Sequence, residues 1–265
     1  PAASPAADAH DGRHPASVDA MVLASAPPPG TPIPSSVRAV AGERSTRVLW
    51  RNELGGLAIA IDGDDPLVVK WSPPDGPALA GETERMRWLA ARHPAPVVRD
   101  HRVVDDGELL VTEALPGEGA ASTRWLRAPE TAVRAIAEGL RRLHALPVEG
   151  CPWSWLPADR IRSARAAGGA VPAELEDAPS VDRLVVGHGD ACAPNTLLDE
   201  TGGFLATVDV GRLGLADRWS DLAVASMSLE WNYGPGLEPR FWEAYGVAPD
   251  AERVAYYRAL WDAAD

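Results

Sequence analysis

The chain has 265 residues, 46% of them hydrophobic, enough for one large domain or two small lobes around a sizeable core. Lysine and arginine number 25 against 38 aspartate and glutamate, a net charge of −13, which argues against a nucleic-acid partner and agrees with a cationic one. Two cysteines, Cys151 and Cys192, give no disulfide framework, and neither a Cys/His metal cluster nor an internal repeat is visible.

Residues 1–36 are rich in alanine and proline, with Pro27-Pro28-Pro29-Gly30 among them, and this composition resists helix and sheet alike. They are expected to form an extended or poorly ordered arm. Within it, Met21-Val22-Leu23-Ala24 is too short an apolar run for a signal peptide or a membrane span, so the expected location is a reducing cytoplasm. Residues 47–61 read as strand, turn, strand. Asn52, Gly55 and Gly56 mark the turn, where missing Cβ atoms allow backbone N–H groups close to a phosphate; alone, the pair reads equally as a plain hairpin. Leu67-Val68-Val69-Lys70-Trp71 is an apolar strand carrying one lysine. Residues 81–92 form an amphipathic helix with Met86, Leu89 and Ala90 on its apolar side. Glu82 lies in its first turn, where the helix dipole favours a carboxylate and where it can also pair with Lys70; Glu84 is the second choice. Residues 109–117 read as a strand entering a Pro116-Gly117 turn. That turn makes residues 112–117 a candidate hinge, with the backbone of Thr112 and Ala114 free to meet an adenine edge; by itself the segment also reads as an ordinary edge strand and turn. An N-terminal nucleotide-binding lobe over 37–111 and a C-terminal catalytic lobe over 118–265 follow.

The C-terminal part is read as mostly helical. A helix over 130–145 turns Val133, Ile136, Ala137, Leu140 and Leu143 to one face, with Pro129 at its start and Pro147 beyond its end. A second is expected over 217–230, entered almost at once from residues 212–216. A third follows an Asp250 cap and points Val254, Tyr257 and Trp261 inward.

Between these helices lies the densest chemistry. Gly187-His188-Gly189-Asp190-Ala191-Cys192-Ala193-Pro194-Asn195 is followed fourteen residues later by Asp209-Val210-Gly211-Arg212. An acid, an amide after a four-residue gap and a second acid match the order of the kinase loops H-R-D-x-x-x-x-N and D-F-G. Short apolar strands at 183–187 and 204–210, with another at 195–199, would bring Asp190 and Asp209 to strand ends at one cleft. A hydroxyl attacking a terminal phosphate needs alignment and a place to lose its proton, a role for Asp190. Mg²⁺ takes hard oxygen ligands, which Asn195 and Asp209 supply. His188 is expected to hold the loop by hydrogen bonds, and Cys192 to fill space.

With the glycine turn, Lys70, Glu82, the 112–117 hinge and these loops in sequence, the chain resembles the aminoglycoside phosphotransferase family, in particular its 3′-phosphotransferase, kanamycin-kinase-type branch. Leu143-His144-Ala145-Leu146-Pro147 with Cys151-Pro152, residues 208–223 (VDVGRLGLADRWSDLA) and residues 256–262 (YYRALWD) add to the match, which runs from about residue 37 to the C-terminus. The resemblance implies an α+β, two-lobed protein-kinase-like fold, with an N-terminal antiparallel sheet lobe and a larger, mainly helical C-terminal lobe. It implies ATP and Mg²⁺ as cofactors and an aminoglycoside hydroxyl as acceptor. By position, Asp190 is the catalytic aspartate, Asn195 and Asp209 hold Mg²⁺, Lys70 binds ATP phosphates and Glu82 steadies it. Arg212 lies near the transferred phosphate, and Asp262 stands where the family holds a substrate ammonium. Two departures stand out. The stretch from Cys151 to His188 is short for the family, and the helix after Asp221 ends Glu230-Trp231-Asn232 where an acidic pair is expected at the last two positions. Glu230 is left as the carboxylate there.

Gly189 stands where protein kinases carry arginine, and no length remains after Arg212 for a peptide platform. The acceptor is therefore expected to be small; the acidic balance agrees with a cationic one but reads at least as well as a solubility feature, and no membrane or obligate protein partner is evident. A choline, amino-alcohol or sugar kinase, and a nucleotide-binding regulator without turnover, are the alternatives.

Overall fold

The computed structural model describes residues 24–25 and 30–264. Most of the arm expected over 1–36 lies outside them, as do Met21, Val22 and Leu23. The N-terminal lobe is built from β1 (Ala24–Ser25), α1 (Ser35–Ala41), β2 (Thr46–Asn52), β3 (Leu57–Ile61), β4 (Leu67–Ser72), α2 (Ala80–Ala90), β5 (Val98–Val104) and β6 (Gly107–Glu113). Its strands form a six-stranded antiparallel sheet in the order β1-β2-β3-β4-β6-β5. Strand alternation divides the sheet's two faces. Leu57, Ile59, Ile61, Val69, Leu109 and Val111 pack with Val37 and Ala41 of α1 in one apolar cluster. Lys70, one residue on from Val69, belongs to the opposite pleat. Helix α2 packs Met86 and Leu89 against Leu143, Val186, Val210 and Leu213 of the C-terminal lobe, so the helix that carries Glu82 is seated on both lobes. Burying such a side chain contributes roughly 1.5–3 kcal/mol.

After β6 the chain continues into β7 (Glu118–Gly119), α3 (Thr123–Leu126), α4 (Pro129–Leu143), α5 (Pro157–Ala166), β8 (Leu184–Gly187), β9 (Thr196–Leu198), β10 (Phe204–Thr207), β11 (Gly214–Asp217), α6 (Arg218–Tyr233), α7 (Glu238–Tyr245) and α8 (Ala251–Ala264). A three-stranded sheet runs β10-β9-β7, and β11 pairs with β8 and, through Leu215, makes a parallel bridge with Ser154. Helix α4 presents Ala132, Val133, Ala135, Ile136 and Leu140 to the main core, with Trp219, Leu222 and Ala223 of α6 and Phe241 of α7. Gly139 lets α4 approach β10, because a Cβ there would lie 2.6 Å from the Phe204 ring. Asp250 Oδ1 accepts from the Arg253 N–H at 3.1 Å, and Tyr257 and Trp261 are buried, as the sequence predicts for α8.

The structure departs from the sequence reading in three elements. β5 carries Arg99, Asp100, His101 and Arg102 in its centre and shows no strand alternation, yet pairs with β6 along its length. Residues 214–217 are not a run-in to a helix but strand β11, made of Gly, Leu, Ala and Asp and held by its ladder to β8. Helix α5 fills part of the stretch between Cys151 and His188.

Candidate active site

The ladder of β8 and β11 sets the site. Gly187 pairs with Gly214, so the loop that follows β8 and the loop that precedes β11 lie at the same end of two neighbouring strands. Gly189, at φ +83°, packs against the second loop, and a Cβ on it would lie 2.3 Å from Arg212 O. Only glycine combines that conformation with that approach. His188 Nε2 donates to Val208 O at 3.0 Å, while its Nδ1 accepts from the Asp190 N–H at 3.3 Å, which fixes the orientation of the ring between the two loops. The Val208 N–H donates to Asn195 O at 3.0 Å, and Asn195 Nδ2 donates to Asp190 O at 3.0 Å. Val208 immediately precedes Asp209. Asp190, Asn195 and Asp209 are thus drawn to one place by a single hydrogen-bonded network, as their spacing predicts.

Beneath the loop sits Asp221, in the first turn of α6 and 1% exposed. Its carboxylate accepts from the N–H groups of His188 at 2.6 Å and Gly189 at 3.0 Å. It also accepts from His144 Nε2 at 2.9 Å, and His144 Nδ1 meets the Tyr245 hydroxyl at 2.8 Å. Burial would raise the Asp221 carboxyl, but the hydrogen bond and charge of His144, with His188, hold it below the usual carboxylate range. Sequence reasoning missed this anchor. Its signal was the single charged residue in the stretch 219–229 (WSDLAVASMSL), all of which is buried.

The N-terminal lobe contributes Lys70. Its Nζ lies 2.7 Å from both Glu82 oxygens and 2.8 Å from Asp209 Oδ1. Glu82 is therefore the partner, and Glu84 is exposed. Burial favours the neutral amine, but the charges of Asp209 and Glu82 outweigh it and raise the Lys70 pKa. Asp209 is lowered, with Lys70 overcoming its burial, while Glu82 is raised by burial against the pull of Lys70. One cation thus serves two carboxylates. Asp209 is also the only non-glycine residue at positive φ among the described residues, at +59°, a conformation that costs energy and is concentrated at functional sites. Arg212 adds positive charge beside Asp209, and its guanidinium lies 6.0 Å from the Trp155 ring centroid.

Asp190 Oδ1 is buried and has no hydrogen-bond partner among the described residues. A buried carboxylate oxygen without a donor is costly unless an arriving group supplies one. A substrate hydroxyl is such a group. Burial and the Asp190 charge push the Cys192 thiol far above its ordinary pKa, so it fills space rather than reacting. Among the described residues no three or more His, Cys, Asp or Glu side chains gather to cage a metal. The donor set fits Mg²⁺ all the same. One carboxylate, Asp209, and one amide oxygen, Asn195, leave its other positions to phosphate and water. The hydrogen bond from Asn195 Nδ2 fixes which end of that amide is the acceptor.

Two nucleotide-side expectations are corrected. The Gly55 N–H donates to Asn52 O at 3.1 Å and the Gly56 N–H to Asn52 Oδ1 at 2.7 Å, so the turn satisfies its own donors rather than presenting them. Thr112 sits inside β6 opposite Val68, and the Ala114 N–H donates to Pro66 O at 2.9 Å. Neither is an open strand edge, because the sheet continues on the β4 side of β6. On the acceptor side, Glu230 and Asp262 are exposed in the last turns of α6 and α8. These turns meet through Trp231 and Trp261, whose ring centroids are 5.3 Å apart.

An antiparallel sheet lobe carrying a Lys–Glu pair, joined to a helical lobe carrying an Asp…Asn…Asp loop pair, defines a kinase-like phosphotransfer site. The chain belongs to the phosphotransferase enzyme family, whose model matches residues 36–257. It is 39% identical to an aminoglycoside 3′-phosphotransferase of Streptomyces fradiae over 212 residues, 69% of this chain and 78% of that one. The crystal structure of a type VIII aminoglycoside 3′-phosphotransferase superposes with a TM-score of 0.72 at 32% identity, covering 85% of this chain and 95% of that one. An aminoglycoside phosphotransferase of Streptomyces rimosus, in complex with ADP and streptomycin, superposes with a TM-score of 0.64 at 29% identity over 84% of this chain and 94% of that one.

Proposed function

We infer that this chain transfers the γ-phosphate of ATP to a hydroxyl of an aminoglycoside. The observation that carries the reading is the convergence of Asp190, Asn195 and Asp209 on one network, with Lys70 reaching Asp209 from the other lobe. Relatives named for aminoglycoside and streptomycin phosphorylation supply the acceptor class.

In this reading Asp190 aligns the acceptor hydroxyl and takes its proton on the oxygen that lacks a donor. General base action of this kind is worth ~10²–10⁴ in rate. Lys70, steadied by Glu82, binds the nucleotide phosphates, and Arg212 offsets charge near the transferred group. Asp209 and Asn195 would hold Mg²⁺, which when bound neutralises phosphate charge. With Thr112 and Ala114 engaged in the sheet, adenine recognition falls to the rest of the 112–117 hinge. The site lies between the expected N-terminal lobe over 37–111 and C-terminal lobe over 118–265. No described helix is long and apolar enough to cross a membrane. The test is mass spectrometry of kanamycin, neomycin and streptomycin after incubation with Mg·ATP. One added phosphoryl group on at least one of them is expected, and no transfer to any of the three overturns the acceptor class.

A further inference from the structure

The loop that carries Asp209 lies along the first turns of α2, and contacts at its start, middle and end fix it there. At its start, Asp209 meets Lys70, which also holds Glu82. In its middle, Gly211 lies beside Glu82, since a Cβ on it would be 3.8 Å from Glu82 Cβ. At its end, Leu213 O accepts from Arg85 Nε at 2.9 Å. Arg85 stands three residues beyond Glu82, so the two side chains share one face of α2. Arg85 Nη1 donates to Gly81 O at 3.0 Å, and the guanidinium lies 5.0 Å from the Trp153 ring centroid. Trp153 also meets Trp88 of α2 edge to face, with ring centroids 6.0 Å apart, and Trp88 Nε1 donates to Gly150 O at 2.9 Å. Trp153 O accepts from the Leu215 N–H at 2.8 Å, which roots this segment in β11. Arg85 makes no ion pair among the described residues. Its donors go to backbone carbonyls, one in its own helix and one in the loop.

We propose that Arg85 is a positioning residue for the nucleotide site: by fixing α2 to the end of the Asp209 loop, it holds Glu82 where Glu82 and Asp209 can share Lys70. This rests on the phosphotransfer reading above and adds a residue that acts through others. Lys70 serves both carboxylates only while α2 and the loop stay within reach of one ammonium group. The apolar packing of Met86 and Leu89 keeps the helix on the C-terminal lobe, but it is non-directional and sets no angle or register. A hydrogen bond from a planar guanidinium to one carbonyl is directional, so it supplies what the packing lacks. The Trp153 ring, tied to β11, holds the guanidinium in that orientation.

Titration calorimetry with Mg·ATP tests this without any acceptor. Arg85→Met keeps a side chain of similar length beside Trp153 and removes every donor. It weakens Mg·ATP binding about tenfold, the size of one charged hydrogen bond lost. Arg85→Lys keeps the charge and a donor for Leu213 O, and recovers part of that loss. A double-mutant cycle separates positioning from plain structural support. In a Glu82→Gln background the charge pair with Lys70 is already gone, so Arg85→Met adds less than about twofold. Wild-type affinity in Arg85→Met, or a loss of about tenfold repeated in the Glu82→Gln background, overturns the proposal. If Arg85→Met does not fold, Arg85→Lys carries the same cycle. Mg·ATP binding that follows this pattern, with no phosphoryl transfer to any aminoglycoside, overturns the acceptor class and leaves the role of Arg85 standing. A wild type that binds no Mg·ATP overturns both.

Discussion

Replacing Asp221 with alanine is expected to unseat the catalytic loop. The carboxylate is 1% exposed and accepts from the His188 N–H, the Gly189 N–H and His144 Nε2. Alanine would leave three buried donors without an acceptor, each costing about 1–3 kcal/mol, and the costs of one cluster do not add fully. A loss of about 3–5 kcal/mol is consistent with breaking a buried charged contact. At about 2–4 °C per kcal/mol, the thermal midpoint falls by roughly 6–20 °C. Activity falls further than stability, because two of the three donors are backbone of residues 188 and 189. Asp221→Asn, which keeps one acceptor oxygen, is expected to lie between. The effect has a pH signature. Because the folded carboxyl is held below its unfolded range, its stabilisation is complete above about pH 4 and is lost as pH falls through the folded value. The gap between wild type and Asp221→Asn should therefore narrow below about pH 4. Calorimetric melts across pH 3–8, paired with kcat at neutral pH, measure both. A midpoint within about 2 °C of wild type together with wild-type kcat would refute Asp221 as the loop's anchor.

Asp190→Asn should keep the fold and nucleotide affinity but lower kcat by ~10² or more, and wild-type turnover would remove Asp190 from its role. Asp209→Ala should abolish Mg²⁺-dependent ATP binding in titration calorimetry; an unchanged affinity for Mg·ATP would detach Asp209 from the metal. Gly189→Ala places a Cβ 2.3 Å from Arg212 O at φ +83°, so the two loops must separate. It should lower kcat by about tenfold or more, a barrier rise of about 1.4 kcal/mol, and kinetics indistinguishable from wild type would mean the loops tolerate looser contact.

Much of the site was legible because its chemistry lies in side chains at fixed spacing. Asp190, Asn195 and the residue before Asp209 meet in one hydrogen-bonded network, and Lys70 pairs with Glu82. The hidden parts are those that depend on partners distant in sequence. Gly214, Ala216 and Asp217 of β11 are residues depleted in strands, and pairing with β8 on one side and Ser154 on the other makes the segment one. β5 hides behind a charged centre. The Gly55 and Gly56 donors looked available because the turn was visible, but Asn52 accepting both, the first on its main-chain oxygen and the second on its side chain, was not. Asp221 contacts a backbone more than thirty residues away, and no local pattern reports that.

The pairing of Gly187 with Gly214 has a broader consequence. Both loops spring from the same end of this short ladder, so β8 and β11 carry Asp190 and Asp209 as one unit. A substitution that slides one strand against the other is felt by both acids together, and neither can drift alone without breaking a strand pair.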